Sequence, residues 1–410
     1  MALGRKYRTI GAISILSGLG ILATIFFQIV AARSLTASEF AIFAGFLSLV
    51  NVAAVGSGAL QNAVAVNTAR SKSRSGDSRT NSAVWGVYRQ DGSLVESIAF
   101  GVIGAAGAWI LTLSAENVLH QHQVIAFAAV MTIPMSFALA RQLGVLQGNE
   151  RSTRVIAWST ATAIIRLAIF PTLMAAGAEP LFAVTSSVVV SIFLSSVGAA
   201  FSNQNSMKRP RNSPFARSTV VVTITVIGFA WLTNADVLFV SSSLNPTDAS
   251  QYAIASVIIK TTLIVPGTMS LLFLARFAKS QDTERQRGEF AIEVISLASI
   301  AILAGILYFF GTPLMRVIFG DVYSFSPIYL LNLSLCFAPW VYLQAILIRA
   351  NSLARWGTAV PVLLGAFAQV IIFTLALPDL TVMLFSNAVL GIVLCLWVKT
   401  SLIKLRQTGP

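Results

Sequence analysis

WLTNADVLFVSSSLNPTDASQYAIASVIIKTTLIVPGTMSLLFLARFAK, from Trp231 to Lys279, holds two long apolar segments joined by a tight Ser-Leu-Asn-Pro-Thr-Asp turn. Each segment carries one deep charge, Asp236 in the first and Lys260 in the second. A lone ionisable residue near the centre of a bilayer costs about 2.5 to 3.5 kcal/mol on insertion scales, so such residues are kept where they are paired or where they face water. Two apolar helices closed by a turn, with a charge in each, therefore point to a membrane hairpin with polar work to do.

The composition extends that reading to the whole chain. Of 410 residues, 56% are hydrophobic and only 10% charged, against roughly a quarter charged in soluble domains. Apolar runs long enough to cross about 30 Å of hydrocarbon at 1.5 Å per residue lie near 9–32, 40–66, 94–115, 120–146, 153–176, 179–202, 218–244, 249–277, 288–310, 322–348, 355–377 and 380–403. The expected fold is all-α and polytopic, with twelve transmembrane helices. The opening MALGRKYRT and the run behind it are read as a retained first helix, because the run is too long for a signal peptide and lacks a small-residue cleavage site before Arg33. Polar residues at Gly56–Asn62 and the Pro266-Gly267 step predict bent or broken helices there.

Basic residues orient the chain, since short cytoplasmic loops collect lysine and arginine. With both termini inside, 24 of the 28 basic residues fall on the cytoplasmic side; Arg33 and Arg316 lie outside, and Arg166 and Lys260 lie within spans. The net charge of +13 is thereby explained by anionic membrane lipids as partners, with no need of nucleic acid. The expected protein is multi-pass, with both termini on the cytoplasmic side of its membrane.

Several chemistries are missing from the sequence. It holds no Gly-rich phosphate loop, no paired-carboxylate motif and no Ser/His/Asp grouping that short loops could assemble, so it does not read as an enzyme and calls for no cofactor. His120 and His122 have no further ligands near them and are read as exposed polar residues, not a metal site. Cys336 and Cys395 both sit in apolar runs and are read as small hydrophobes.

The polar loop SNQNSMKRPRNSPFAR, Ser202 to Arg217, divides the chain almost in half, predicting an N-terminal lobe 1–205 and a C-terminal lobe 206–410 with six helices each. Ser34-Leu35 followed by Phe40-Ala41-Ile42 is matched by Ser243-Leu244 followed by Tyr252-Ala253-Ile254, and Gln142 and Asn149 match Gln344 and Asn351 at one offset. An even number of spans per half makes the repeat parallel, so the lobes are expected to be related by a pseudo-two-fold axis along the membrane normal, around a central cavity.

Polar residues at three- and four-residue spacing share a helix face. Ser14, Ser17, Thr24 and Gln28 form one such line, and others are Ser48, Asn51, Gly58 and Asn62; Ser159, Thr162 and Arg166; Thr233, Asp236 and Ser243; and Ser256, Lys260 and Gly267. Small residues in these lines also serve close helix packing; the charges carry more. Asp236 and Lys260 differ in depth by only about 5 Å, so an ion pair within the hairpin is possible. Arg166, near the midplane, has no evident intramembrane acid, which points to a wet, electropositive cavity suited to an anionic ligand.

The hairpin also carries a resemblance. Asn234-Ala235-Asp236-Val237-Leu238-Phe239, Leu244, Tyr252-Ala253-Ile254-Ala255 and Pro266 resemble the corresponding stretch of the O-antigen and polysaccharide flippases of the multidrug/oligosaccharidyl-lipid/polysaccharide exporter superfamily. Ala32-Arg33-Ser34-Leu35 before Glu39-Phe40-Ala41, Leu146-Gln147-Gly148, and Phe319-Gly320-Asp321 with Tyr323 are similar too, although Thr36 and Ala41 stand where glycine is usual. The resemblance implies movement of an undecaprenyl-diphosphate-linked oligosaccharide from the inner to the outer leaflet by alternating access, in a pathway with glycosyltransferases and a polysaccharide polymerase as partners. It implies Arg166 and Lys260 as anion contacts, Asp236 for ion coupling or for organising Lys260, and Gln28, Asn51 and Asn62 for sugar hydroxyls. The alternatives are a cation-coupled exporter of the multidrug and toxin extrusion type, disfavoured because the deep charges are two basic to one acidic; a glycan polymerase or ligase, disfavoured by the short external loops; and a scaffold.

Overall fold

The computed structural model describes residues 2–75, 92–114, 122–149, 151–203, 217–266, 282–319, 325–353 and 355–407. Outside these lie His120, Gly267, the expected lobe boundary at 205/206, most of the loops 70–93 and 202–217, and the end of the Phe319–Tyr323 motif. The side chains of Ser14 and Ser17 are likewise outside the description.

The described residues form twelve helices and no strand. They are α1 (Ala2–Ser34), α2 (Ala37–Ser75), α3 (Gly92–Ser114), α4 (Gln123–Gly148), α5 (Ser152–Ala175), α6 (Pro180–Asn203), α7 (Arg217–Ser243), α8 (Pro246–Lys260), α9 (Asp282–Phe319), α10 (Pro327–Leu353), α11 (Trp356–Ala376) and α12 (Leu380–Gln407). Eleven stretches among the described residues are long and apolar enough to cross a membrane, one on each helix but α1, that of α8 running on through the following turn to Pro266; α1 contributes the apolar stretch Gly18–Ser34. The protein is a multi-pass helical membrane protein.

Two compact units result, Met1–Thr223 and Ile224–Pro410. The division falls inside α7. In the first unit α4 is the hub, packing against α2, α3 and α6, while α5 packs on α1 and α6. In the second unit α10 is the hub, packing against α8, α9 and α12, with α11 on α12. The same pairings thus recur six helices later. An edge-on aromatic pair joins the first helix of each unit to its fifth: Phe27 and Phe170 at 6.1 Å, Phe239 and Phe373 at 5.4 Å.

Local chemistry explains the helix ends and seams. α2 begins with a reciprocal cap in which Thr36 N–H donates to Glu39 Oε2 (2.8 Å) and Glu39 N–H donates to Thr36 Oγ1 (3.3 Å). α8 begins with Asn245 accepting from Asp248 N–H at 2.9 Å, and Pro246 occupies the first turn, where its missing N–H costs nothing. On α4, Gly144 and Gly148 let the α2 backbone approach: a Cβ at either glycine would lie 2.6 Å from a carbonyl oxygen, of Gln61 and of Ala65 respectively. This is the small-residue spacing that brings membrane helices into contact.

The expected break at Gly56–Asn62 is absent, since α2 runs unbroken through it. Its polar groups are absorbed locally: Ser57 Oγ donates to the Ala54 carbonyl, and Gln61 Nε2 donates to Gln147 Oε1 on α4 at 3.0 Å. Near Pro266 the expected irregularity takes the form of a tighter turn just before the proline, with helical residues resuming at 264–266. α8 tightens into a 3₁₀ turn at Thr261–Leu263, because a proline four residues on has no N–H to donate to the Thr262 carbonyl and its ring crowds that carbonyl. The hydroxyls of Thr261 and Thr262 donate to the carbonyls of Ile258 and Ile259 at 2.6 Å each.

Candidate functional site

The second unit brings Asp236 and Lys260 together. Lys260 Nζ donates to Asp236 Oδ1 at 2.7 Å, with side chains 14% and 4% exposed respectively. The other carboxylate oxygen accepts from Tyr252 Oη at 2.6 Å and from Ser256 Oγ at 3.4 Å. Tyr252, Ser256 and Lys260 follow one another at four-residue intervals, which stacks them on one face of α8. Asp236 sits opposite on α7 with donors on both oxygens, as a buried charge requires.

A small cleft adjoins this group and is lined by Asp236, Tyr252 and Ser256 with Cys336, Phe337 and Asn387. Behind it, the fully buried Gln369 donates from Nε2 to the Leu232 carbonyl (2.7 Å) and to Asn387 Oδ1 (2.9 Å), tying α11 to α7 and α12. The sequence reading did not single out Gln369 or Asn387. Each is a lone polar residue in its span, with no periodic partner to mark it. Tyr252 marks the repeat and the resemblance in the sequence, and its four-residue spacing from Ser256 and Lys260 is the signal that places it in this site.

In the first unit Arg166 lies on α5. Its guanidinium stands 5.6 Å from the centre of the Phe27 ring on α1, and Nε donates to Ser191 Oγ on α6 at a long 3.5 Å. No carboxylate pairs with it among the described residues. A guanidinium has five N–H donors in a fixed fork, so most of its capacity is unspent. Thr162, one turn earlier, donates to Ser195 Oγ (2.8 Å), and Trp158, another turn back, donates to Ser202 Oγ (3.0 Å). The α5–α6 seam is thus a ladder of polar contacts that Thr162 belongs to, while Ser159 points outward. Gln28 is half-buried and Asn51 and Asn62 are exposed. None of the three is hydrogen-bonded to Arg166, to one another or to the Asp236 group among the described residues.

A second polar triad in the C-terminal unit escaped the sequence reading because its members lie far apart in the chain. Glu293 Oε2 on α9 accepts from Tyr342 Oη on α10 at 2.8 Å and from Lys399 Nζ on α12 at 2.9 Å, and Lys399 also donates to Tyr342 Oη. Between α9 and α10, Arg349 Nη1 donates to Glu289 Oε2 at 2.8 Å. Lys399 and Arg349, which belong to the basic set expected on the cytoplasmic side, are helix-borne and ion-paired. His122 is exposed, and no group of three or more His, Cys, Asp or Glu side chains suited to a metal ion occurs among the described residues.

No protein-family model matches the chain, and no curated protein matches it. Solved structures do. An inward-facing multidrug resistance MATE family transporter of the MOP superfamily is similar over 98% of this chain and 100% of its own, with a TM-score of 0.63 and 12% identity. The lipid II flippase MurJ, in an inward closed conformation, is similar over 97% of this chain and 87% of its own, with a TM-score of 0.64 and 13% identity. The eukaryotic MATE transporter AtDTX14 is similar over 98% and 99%, with a TM-score of 0.59 and 15% identity. The fold is that of the MOP-superfamily transporters. The proteins named here that share this fold are transporters and a flippase, not enzymes: multidrug resistance and other MATE transporters and a lipid II flippase.

Proposed function

We propose that this chain is a flippase for an anionic, lipid-linked glycan: an undecaprenyl-diphosphate-linked oligosaccharide carried from the cytoplasmic to the outer leaflet of a bacterial cytoplasmic membrane by alternating access, for O-antigen, capsule or exopolysaccharide synthesis. The observation that carries this reading is Arg166. It lies in a membrane-spanning helix without a carboxylate partner among the described residues, backed only by Phe27 and one long hydrogen bond. Arginine's fork matches phosphate oxygens bidentately, and a diphosphate supplies the negative charge that the described residues do not. Lys260 would be the second anion contact, and Gln28, Asn51 and Asn62, none of which spends its amide on a described neighbour, would serve sugar hydroxyls. Asp236 would couple an ion or organise Lys260. The basic cytoplasmic loops support inside termini, and glycosyltransferases and a polymerase of the same pathway would be partners.

A second reading, a cation-coupled multidrug exporter of the MATE type, is favoured by the MATE structures of the same fold. Cationic drugs call for uncompensated carboxylates, however, and Asp236 is already neutralised by Lys260 at 2.7 Å. Deletion of the gene separates the two: the flippase reading expects lipid-linked oligosaccharide to accumulate on the cytoplasmic leaflet with drug susceptibility unchanged. Hypersensitivity to cationic drugs with normal surface glycan would replace it with the exporter.

A further inference from the structure

The Asp236 group combines three features: a carboxylate with donors on both oxygens, a cleft beside it, and an ammonium as the most exposed member of the cluster. We propose that Lys260 is a specificity determinant, a tethered cation that occupies the place a soluble metal cation would take at Asp236 and that only an anionic group, such as a phosphate of the cargo, draws away. This deepens the flippase reading and rests on it for the identity of the anion.

The geometry supports it in several ways. A sodium or potassium ion is drawn by uncompensated negative oxygen, and both carboxylate oxygens here already accept from donors, one of them an ammonium. Asp236 Oδ1 accepts from Lys260 Nζ at 2.7 Å, and the hydroxyl hydrogens of Tyr252 and Ser256 point at Oδ2. The pair is neutral as a unit, so nothing draws in a further cation. Of the two partners, Lys260 is the more exposed, at 14% against 4%, while the cleft itself reaches the pair from the side of Asp236, Tyr252 and Ser256. Lys260 is also the last residue of α8 proper, and the 3₁₀ turn Thr261–Leu263 follows at once. Mid-helix 3₁₀ turns commonly mark hinges. Lys260 is therefore the member of the Tyr252–Ser256–Lys260 face that can move while the first two keep their bonds to Asp236. Once it leaves, the buried carboxylate is left with hydroxyl donors only and takes up a proton or a monovalent cation in its place, so anion capture and cation uptake go together, one for one.

Cys336 lines the same cleft and provides a reporter. The only other cysteine, Cys395, is replaced by alanine, and the rate at which a small methanethiosulfonate labels Cys336 is followed in the purified protein with sodium chloride, choline chloride or inorganic pyrophosphate. The expected result is slow labelling indifferent to sodium, accelerated at least about threefold by pyrophosphate, and in Lys260→Met a rate that sodium now changes by a similar factor. Sodium altering the Lys260-containing protein as it alters Lys260→Met, or pyrophosphate leaving the rate unchanged, would overturn the proposal. If Lys260→Met does not fold, Lys260→Arg, which keeps a cation, must stay sodium-indifferent, and Asp236→Asn/Lys260→Met, which has no pair to open, must lose the pyrophosphate response. Labelling is read without transport. Normal glycan export by an Arg166→Glu variant would therefore remove the flippase reading and leave the tethered cation standing, while labelling that pyrophosphate leaves unchanged, with export lost in Arg166→Glu, would remove the tethered cation and leave the flippase reading.

Discussion

Replacing Lys260 by methionine keeps the length of the side chain and removes its charge. Asp236, 4% exposed, would then face only Tyr252 and Ser256, the latter at 3.4 Å. Removing one partner of a buried ion pair costs about 3 to 5 kcal/mol, because the other charge remains in a medium that does not solvate it. The slight exposure of the pair places the expected loss near the lower end, about 3 kcal/mol. Asp236→Asn should cost less, about 2 kcal/mol, since the more accessible Lys260 can extend its ammonium along its aliphatic stem toward polar surroundings. In the double variant neither charge is left uncompensated, so its loss should be close to that of a single substitution, giving a coupling energy of about 2 kcal/mol or more. The assay is reversible unfolding of the purified protein in mixed SDS and dodecylmaltoside micelles for all four members of the cycle. Additive losses, with coupling under about 0.5 kcal/mol, would refute the view that the two side chains form one neutral buried unit.

Two further outcomes follow from the packing. Gly148→Ala should lower the yield of folded protein and cost about 1 to 3 kcal/mol in the same micelle assay, since the new methyl would lie 2.6 Å from the Ala65 carbonyl and must push α2 from α4. Lys399→Met, which breaks a contact of the same chemistry as Lys260–Asp236, should cost under about 1 kcal/mol, because Lys399 is 45% exposed and Glu293 20%, and solvent screens such pairs; the unfolding midpoint distinguishes it from Lys260→Met directly.

The fold was legible because apolar length and the placement of lysine and arginine are properties of the chain itself. Ser34–Ile42 and Ser243–Ile254 likewise announced the hairpins that open each unit. What could not be read was how helices share their polar residues. The Gly56–Asn62 run looked like a break, yet α4 supplies Gln147 to Gln61 and a glycine face to the α2 backbone, which keeps the helix whole. Thr162 looked like a cavity-lining residue, and α6 takes up its hydroxyl through Ser195. At the site, Asp236 and Lys260 stood out because a charge in an apolar run is conspicuous. Gln369 and Asn387 did not, since a single amide in a span acquires meaning only from the neighbour that receives it. Glu293, Tyr342 and Lys399 come from three helices separated by as many as 106 positions, beyond the reach of any local pattern.

The central claim is that an arginine within a membrane-spanning helix, with no carboxylate partner among the described residues, holds an anionic lipid-linked glycan. Its most direct measurement is the sidedness of lipid-linked oligosaccharide in cells expressing Arg166→Glu and Arg166→Lys at the level of the unaltered protein. The account predicts accumulation on the cytoplasmic leaflet and loss of surface polysaccharide in Arg166→Glu, with Arg166→Lys retaining partial export through its remaining charge. Export by Arg166→Glu at the rate of the unaltered protein would contradict it.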